Sequence, residues 1–118
     1  MRTTRSITIV HPEVKVRIAL RSIFEAHACT VTTDHSLRDL ASTKGDVCPD
    51  VILVDRAQVT QEGIEILTEL NRIWEEAVIV FLPEGLTSDI PQSTLRPQLL
   101  GVVDRMLTLK STREILSV

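Results

Sequence analysis

Short apolar runs alternate with longer amphipathic stretches along this chain. Residues 7–10 (ITIV), 51–54 (VILV) and 77–82 (AVIVFL) are continuous apolar runs, the pattern of strands covered on both faces in a parallel sheet. Residues 29–33 (CTVTT) and 102–107 (VVDRML) are weaker strand candidates, expected nearer the sheet edges. From Val14 to His27, the side chains of Val16, Ala19, Leu20, Ile23 and Phe24 recur at helical spacing, and from Gly63 to Trp74 so do Ile64, Leu67, Leu70, Ile73 and Trp74. Ser36 is placed to cap a short helix carrying Leu37, Leu40 and Ala41, with Asp39 three residues on. Ser111 and Glu114 have the spacing of a capping box that opens a last helix. Five strand–helix repeats predict an α/β sandwich around a parallel sheet with right-handed crossovers. Residues 83–100 (PEGLTSDIPQSTLRPQLL), punctuated by Pro83, Pro91 and Pro97, predict a short helix or a loop.

The length of 118 residues suits one domain. Net charge is −3, with 13 basic and 16 acidic residues spread along the chain. This distribution gives no basic block for nucleic acid and no basic amphipathic helix for a membrane surface. The apolar run after MRTTRS is too short for a signal peptide or a membrane span, so the sequence reads as cytoplasmic. Cys29 and Cys48 belong to no C-x-x-C pair or ligand set and read as inert thiols. His27 and His35 fall in a helix end and a loop, with nothing pairing them into a metal site.

In open parallel sheets, ligands bind beyond the carboxyl ends of the strands. That edge receives His11 and Pro12 from the first strand, Asp55 from the third, Leu82 from the fourth, and Leu107 and Thr108 from the fifth. The stretch VILVDRAQVTQEGIEIL, residues 51–67, is the most specific part of the chain. An apolar strand preceded by Pro49 and Asp50 runs into Asp55, a turn follows, and Gly63 opens an amphipathic helix.

With Gly101 before VVDRML and with VRIALRSIFE at residues 16–25, this stretch resembles the receiver domain of bacterial two-component response regulators, in particular the subfamily with a C-terminal helix-turn-helix DNA-binding domain. The resemblance covers essentially the whole chain. It implies a flavodoxin-like fold with a five-stranded parallel sheet of order 2-1-3-4-5. It also implies that residues 1–118 are a single receiver-like domain, the N-terminal part of a longer regulator.

In that family two acidic residues after the first strand hold Mg²⁺ beside a phosphoacceptor aspartate, a Ser or Thr ends the fourth strand, and a Lys ends the fifth. A phosphoryl group in transfer carries spread negative charge, so cation, lysine and hydroxyl supply what carboxylates alone cannot. Here the acidic pair falls on His11 and Pro12, the hydroxyl position on Leu82, the lysine position on Thr108 and the switch aromatic on Arg105; Lys110 comes two residues late, and Glu13 one. Asp55 alone remains. Removing one preorganised donor costs about 2.7–4 kcal/mol of transition-state stabilisation, so phosphoryl transfer is expected to be lost and Mg²⁺ binding to be weak or absent. Asp55 then reads as a cap on the following turn, as a partner of Arg56, or as a partner of His11 whose charge raises the histidine pKa; otherwise His11 is an exposed loop residue.

The expected function is a pseudo-receiver: a non-enzymatic interaction or dimerisation module, independent of cofactors, whose surface includes Arg105 and Lys110. Its partners are a protein or a second copy, with DNA reached only through a downstream domain. The alternative is a phosphoacceptor served at Asp55 by a histidine kinase. A nucleotide-binding enzyme on this architecture would need a glycine-rich loop where the chain has HPEVK, residues 11–15.

Overall fold

The apolar runs form strands because each must bury both of its faces. In the computed structural model, which describes residues 5–42, 48–82, 86, 89 and 91–116, β1 (Ser6–Val10), β2 (Thr30–Asp34), β3 (Val51–Asp55) and β4 (Val78–Leu82) form a parallel sheet of order β2-β1-β3-β4. Helices α1 (Val14–Glu25), α2 (Leu37–Ser42), α3 (Arg56–Glu62), α4 (Ile64–Ile73) and α5 (Gln92–Leu116) complete the described elements. Alternation along β3 divides the core. Val51 and Leu53 pack with Leu20, Phe24, Leu95 and Leu99 from α1 and α5. Ile52 and Val54 pack with Leu37, Leu70 and Trp74 from the side of α2 and α4. The result is three layers, with the sheet in the middle. No helix among the described residues is long and apolar enough to cross a membrane.

Three strands were legible as apolar runs and β2 as the weaker candidate at 29–33; the expected fifth is not a strand. Residues 102–107 lie inside α5, a 25-residue helix, and the described sheet therefore has four strands rather than five. The cause is a helical stripe: Leu95, Leu99 and Val103 are buried at four-residue intervals against the core. Pro97 lies within α5 and is exposed, so the backbone acceptor it leaves without a donor is on the solvent side. The segment 83–100 is accordingly helical from Gln92 onward, while Pro83 falls outside the described residues. Ser111 and Glu114 lie within α5 and open no new helix.

The turn expected after Asp55 is likewise a helix, α3, which Gly63 separates from α4 by its backbone at φ 93°. Ile64, expected on the inner face of α4, is 68 % exposed. Ser36 caps α2 as expected, its Oγ accepting the Asp39 N–H at 3.1 Å. Asp50 belongs to the opposite end of the sheet from Asp55: its Oδ2 accepts the Ser6 N–H at 2.8 Å, tying β1 to the start of β3.

The chain leaves α1 through Ala28 at φ 60°, a left-handed conformation that costs an L-residue with a Cβ roughly 1 kcal/mol. Ala28→Gly is therefore expected to stabilise the fold by about 0.5–1 kcal/mol, a gain net of the greater freedom glycine has when unfolded. Thermal or urea denaturation would read this as a rise in midpoint.

Candidate functional site

The carboxyl end of the sheet brings together His11, Pro12, Asp34, Asp55 and Leu82, because β1, β2, β3 and β4 all point the same way. His11 follows β1 directly. Its backbone N–H donates to the Asp34 carbonyl at 3.1 Å, extending the β1–β2 pairing by one residue. The side chain is only 4 % exposed. Its Nδ1 accepts the Glu13 N–H at 3.1 Å, which makes Nε2 the protonated nitrogen of a neutral ring. Arg17, one turn into α1, donates from Nη1 to the His11 carbonyl at 2.5 Å.

These surroundings reverse the expected direction of the His11 pKa. Burial lowers it from its ordinary value; the Asp55 and Glu13 carboxylates raise it by less, and the Arg17 guanidinium lowers it further. His11 is thus neither an exposed loop residue nor an imidazolium stabilised by Asp55. The consequence for stability has a definite sign. With the native pKa below the unfolded value of 6.5, the unfolded chain takes up a proton first as pH falls, and native stability drops from pH 6.5 downward until His11 itself protonates. Denaturation midpoints measured between pH 7.5 and 5 are expected to show this loss, with a slope of at most about 1.4 kcal/mol per pH unit from this residue. The slope should be shallower in His11→Asn.

Asp55 ends β3 and occupies the residue before α3, but its side chain makes no capping hydrogen bond. The capping role expected for it is therefore not what it does; its interaction with His11 is through-space. The Arg56 guanidinium lies over the Phe81 ring, 5.3 Å from its centroid. Leu82 stands opposite Asp55 in the β3–β4 register and is 2 % exposed within the apolar cluster. Pro12 is exposed. Arg105, Thr108 and Lys110 belong to α5 rather than to a strand end. Thr108 is exposed and donates its hydroxyl to the Asp104 carbonyl at 2.8 Å. The lysine position at the end of a fifth strand thus has no counterpart in the described sheet.

The two cysteines lie at the opposite end of the sheet, just before β2 and β3. Cys29 and Cys48 are half-buried, the Cys48 thiol lies against the Pro49 carbonyl at 3.3 Å, and burial pushes the Cys29 thiol above its ordinary value, with Arg5 opposing. This makes Cys29 a poorer nucleophile.

Two groups at the rim carry no motif in the sequence. Gln58 on α3 is buried and donates from Nε2 to the His35 carbonyl, while its Oε1 has no hydrogen-bond partner among the described residues. Asp34, His35 and Asp39 bring one ligand atom each within 4.8 Å of one another. Their spacing matches no familiar ligand motif, since the strand end and the capped helix must first be folded side by side.

No protein-family model matches the chain, and no curated protein matches it. Among solved structures, it is similar to a yeast Spc42 trimeric coiled-coil segment, amino acids 181–211, fused to another structure. The two superpose with a TM-score of 0.61 at 15 % identity, covering 98 % of this chain and 95 % of that one. At this identity the likeness bears on the fold alone.

Proposed function

We propose that this chain is a receiver-like domain of a signalling or transcriptional regulator, on a flavodoxin-like plan, that works as a phosphorylation-independent protein-interaction module. The observation that carries the reading is His11. A buried neutral imidazole, with its Nδ1 engaged by the Glu13 N–H, stands beside Asp55 where a metal-assisted phosphoryl site requires carboxylate oxygens. Leu82 at the end of β4 and the helical course of residues 102–108 support the same reading. With no second anion to hold, the rim has nothing to switch, and the domain keeps one surface. Val102 and Arg105, both exposed on α5, offer an apolar and a charged contact for a protein partner or a second copy.

Incubation with acetyl phosphate and Mg²⁺ followed by intact-mass measurement tests this. The expected result is an unchanged mass and an unchanged sedimentation profile. A phosphoryl adduct on the native chain that disappears in Asp55→Ala would overturn it and return Asp55 to the role of phosphoacceptor.

A further inference from the structure

We infer that the cleft between the end of α1 and α5 binds a small zwitterion, an α-amino acid with an apolar side chain. The site lies at the amino end of the sheet, opposite Asp55, and does not depend on the receiver-like reading. Its cavity measures about 340 Å³. That is the small end of the roughly 300–1,000 Å³ range of ligand sites, which suits a molecule of amino-acid size.

The walls divide by chemistry. Phe24 and Val103, both buried, and the half-buried Leu100 make an apolar floor. Arg5 and Asp104 make a charged wall, joined as an ion pair from Nη1 to Oδ1. Both charges also act on the Cys29 thiol in the same lining: burial raises its pKa most, Arg5 lowers it and Asp104 raises it. The fold holds these groups in place. Arg5 directly precedes β1, and its carbonyl accepts the Thr30 N–H at 2.8 Å, which ties it to the start of β2. Leu100, Val103 and Asp104 share one face of α5, at spacings of three and four.

The charge pattern selects the occupant. A guanidinium has five N–H donors and a carboxylate about four lone-pair sites, so one bond between them leaves each with capacity for a ligand. An α-carboxylate on Arg5 and an α-ammonium on Asp104 would keep every charge beside its opposite, with the apolar side chain on Phe24, Leu100 and Val103. A monocarboxylate would instead be repelled by Asp104 and a monoamine by Arg5. A wholly apolar ligand would take water from the pair and return nothing. The Arg5 and Asp104 side chains are 48 % and 64 % exposed. An ion pair this exposed is weak in itself, so rearranging it around a ligand costs little.

Titration of the isotope-labelled full chain with L-leucine, followed by amide NMR, tests the site. Saturable shifts centred on Cys29, Leu100 and Val103 are expected, with a dissociation constant below about 1 mM. Isocaproate and isoamylamine, which are leucine without its ammonium and without its carboxylate, are each expected to bind at least about tenfold more weakly. The same loss is expected for L-leucine in Arg5→Gln and in Asp104→Asn, and the spectra themselves verify that these surface variants are folded. No saturable shift with L-leucine overturns the inference, as do shifts centred elsewhere. Equal binding of either analogue overturns it without recourse to a variant, and so does leucine binding that survives both substitutions.

Discussion

Leu82→Ser is expected to lower the unfolding free energy by about 3–4 kcal/mol and the melting temperature by roughly 10–20 °C. Leu82 is the last residue of β4, faces Asp55 across the β3–β4 ladder and is 2 % exposed. It packs in the cluster that contains Leu86, Leu95 and Leu99. The substitution removes the isobutyl group, which by itself costs about 2–5 kcal/mol at a buried site, and introduces a hydroxyl into apolar surroundings. Leu82→Ala separates the two contributions and should retain most of the loss. On the receiver-like reading proposed above, the position that would contact a phosphoryl group is thus part of the core. Chemical denaturation of the two variants beside the native chain measures this. A cost below about 1 kcal/mol for the serine variant would mean that this corner tolerates a polar group, and would strengthen the case for Asp55 as phosphoacceptor.

The second large effect is expected at the end of β1. His11→Asp should destabilise the fold by about 2–4 kcal/mol at pH 7.5, because a carboxylate at a 4 % exposed position next to Asp55 brings two like charges together. The Glu13 N–H and Arg17 offset part of this, which keeps the expected figure below that of an isolated buried charge. The pH dependence should also invert. A carboxyl whose native pKa is raised by burial and by Asp55 contributes stability below its unfolded pKa, and that stability is lost as pH rises through the native value. The native chain should therefore weaken on acidification from pH 6.5, while the variant strengthens over its own, lower window. Melting curves between pH 4.5 and 7.5 distinguish the two slopes. A variant as stable as the native chain at pH 7.5 would show that the rim already accommodates a second anion.

The sheet was readable from the sequence where burial on both faces leaves a continuous apolar run, as in ITIV and VILV. It was misread at 102–107 for a specific reason. Gly101 followed by Val102 and Val103 has the local character of a strand start, and Pro97 appeared to forbid a helix across it. The spacing of Leu95, Leu99 and Val103 is helical throughout, and their shared burial outweighs one missing backbone hydrogen bond. Helix α3 was hidden because RAQVTQE has little apolar stripe; its inward contacts come from Val59 and the polar Gln58.

At the candidate site, the position of Asp55 at the sheet rim followed from where the apolar run stops. The state of His11 did not. Its direction of titration depends on burial beneath neighbouring elements and on Glu13, Arg17 and Asp55 together, a three-dimensional sum that no local pattern records. Asp34, His35 and Asp39 were missed because the relevant proximity spans a strand end and a helix turn.

The central place of β1 has a consequence for how the chain acquires and loses its structure. Ile7 pairs with Val31 on one side and Val51 on the other, so β1 completes its ladder only once β3, far downstream of it, is in place. The parallel layout makes each pairing in the described sheet non-local, which slows formation of the ordered state. Once formed, β1 is enclosed between two strands and two helical layers, whereas β2 and β4 each have one strand neighbour among the described residues. Its amide protons should therefore exchange with solvent only when the whole domain opens, while those of β2 and β4 have cheaper partial openings available to them.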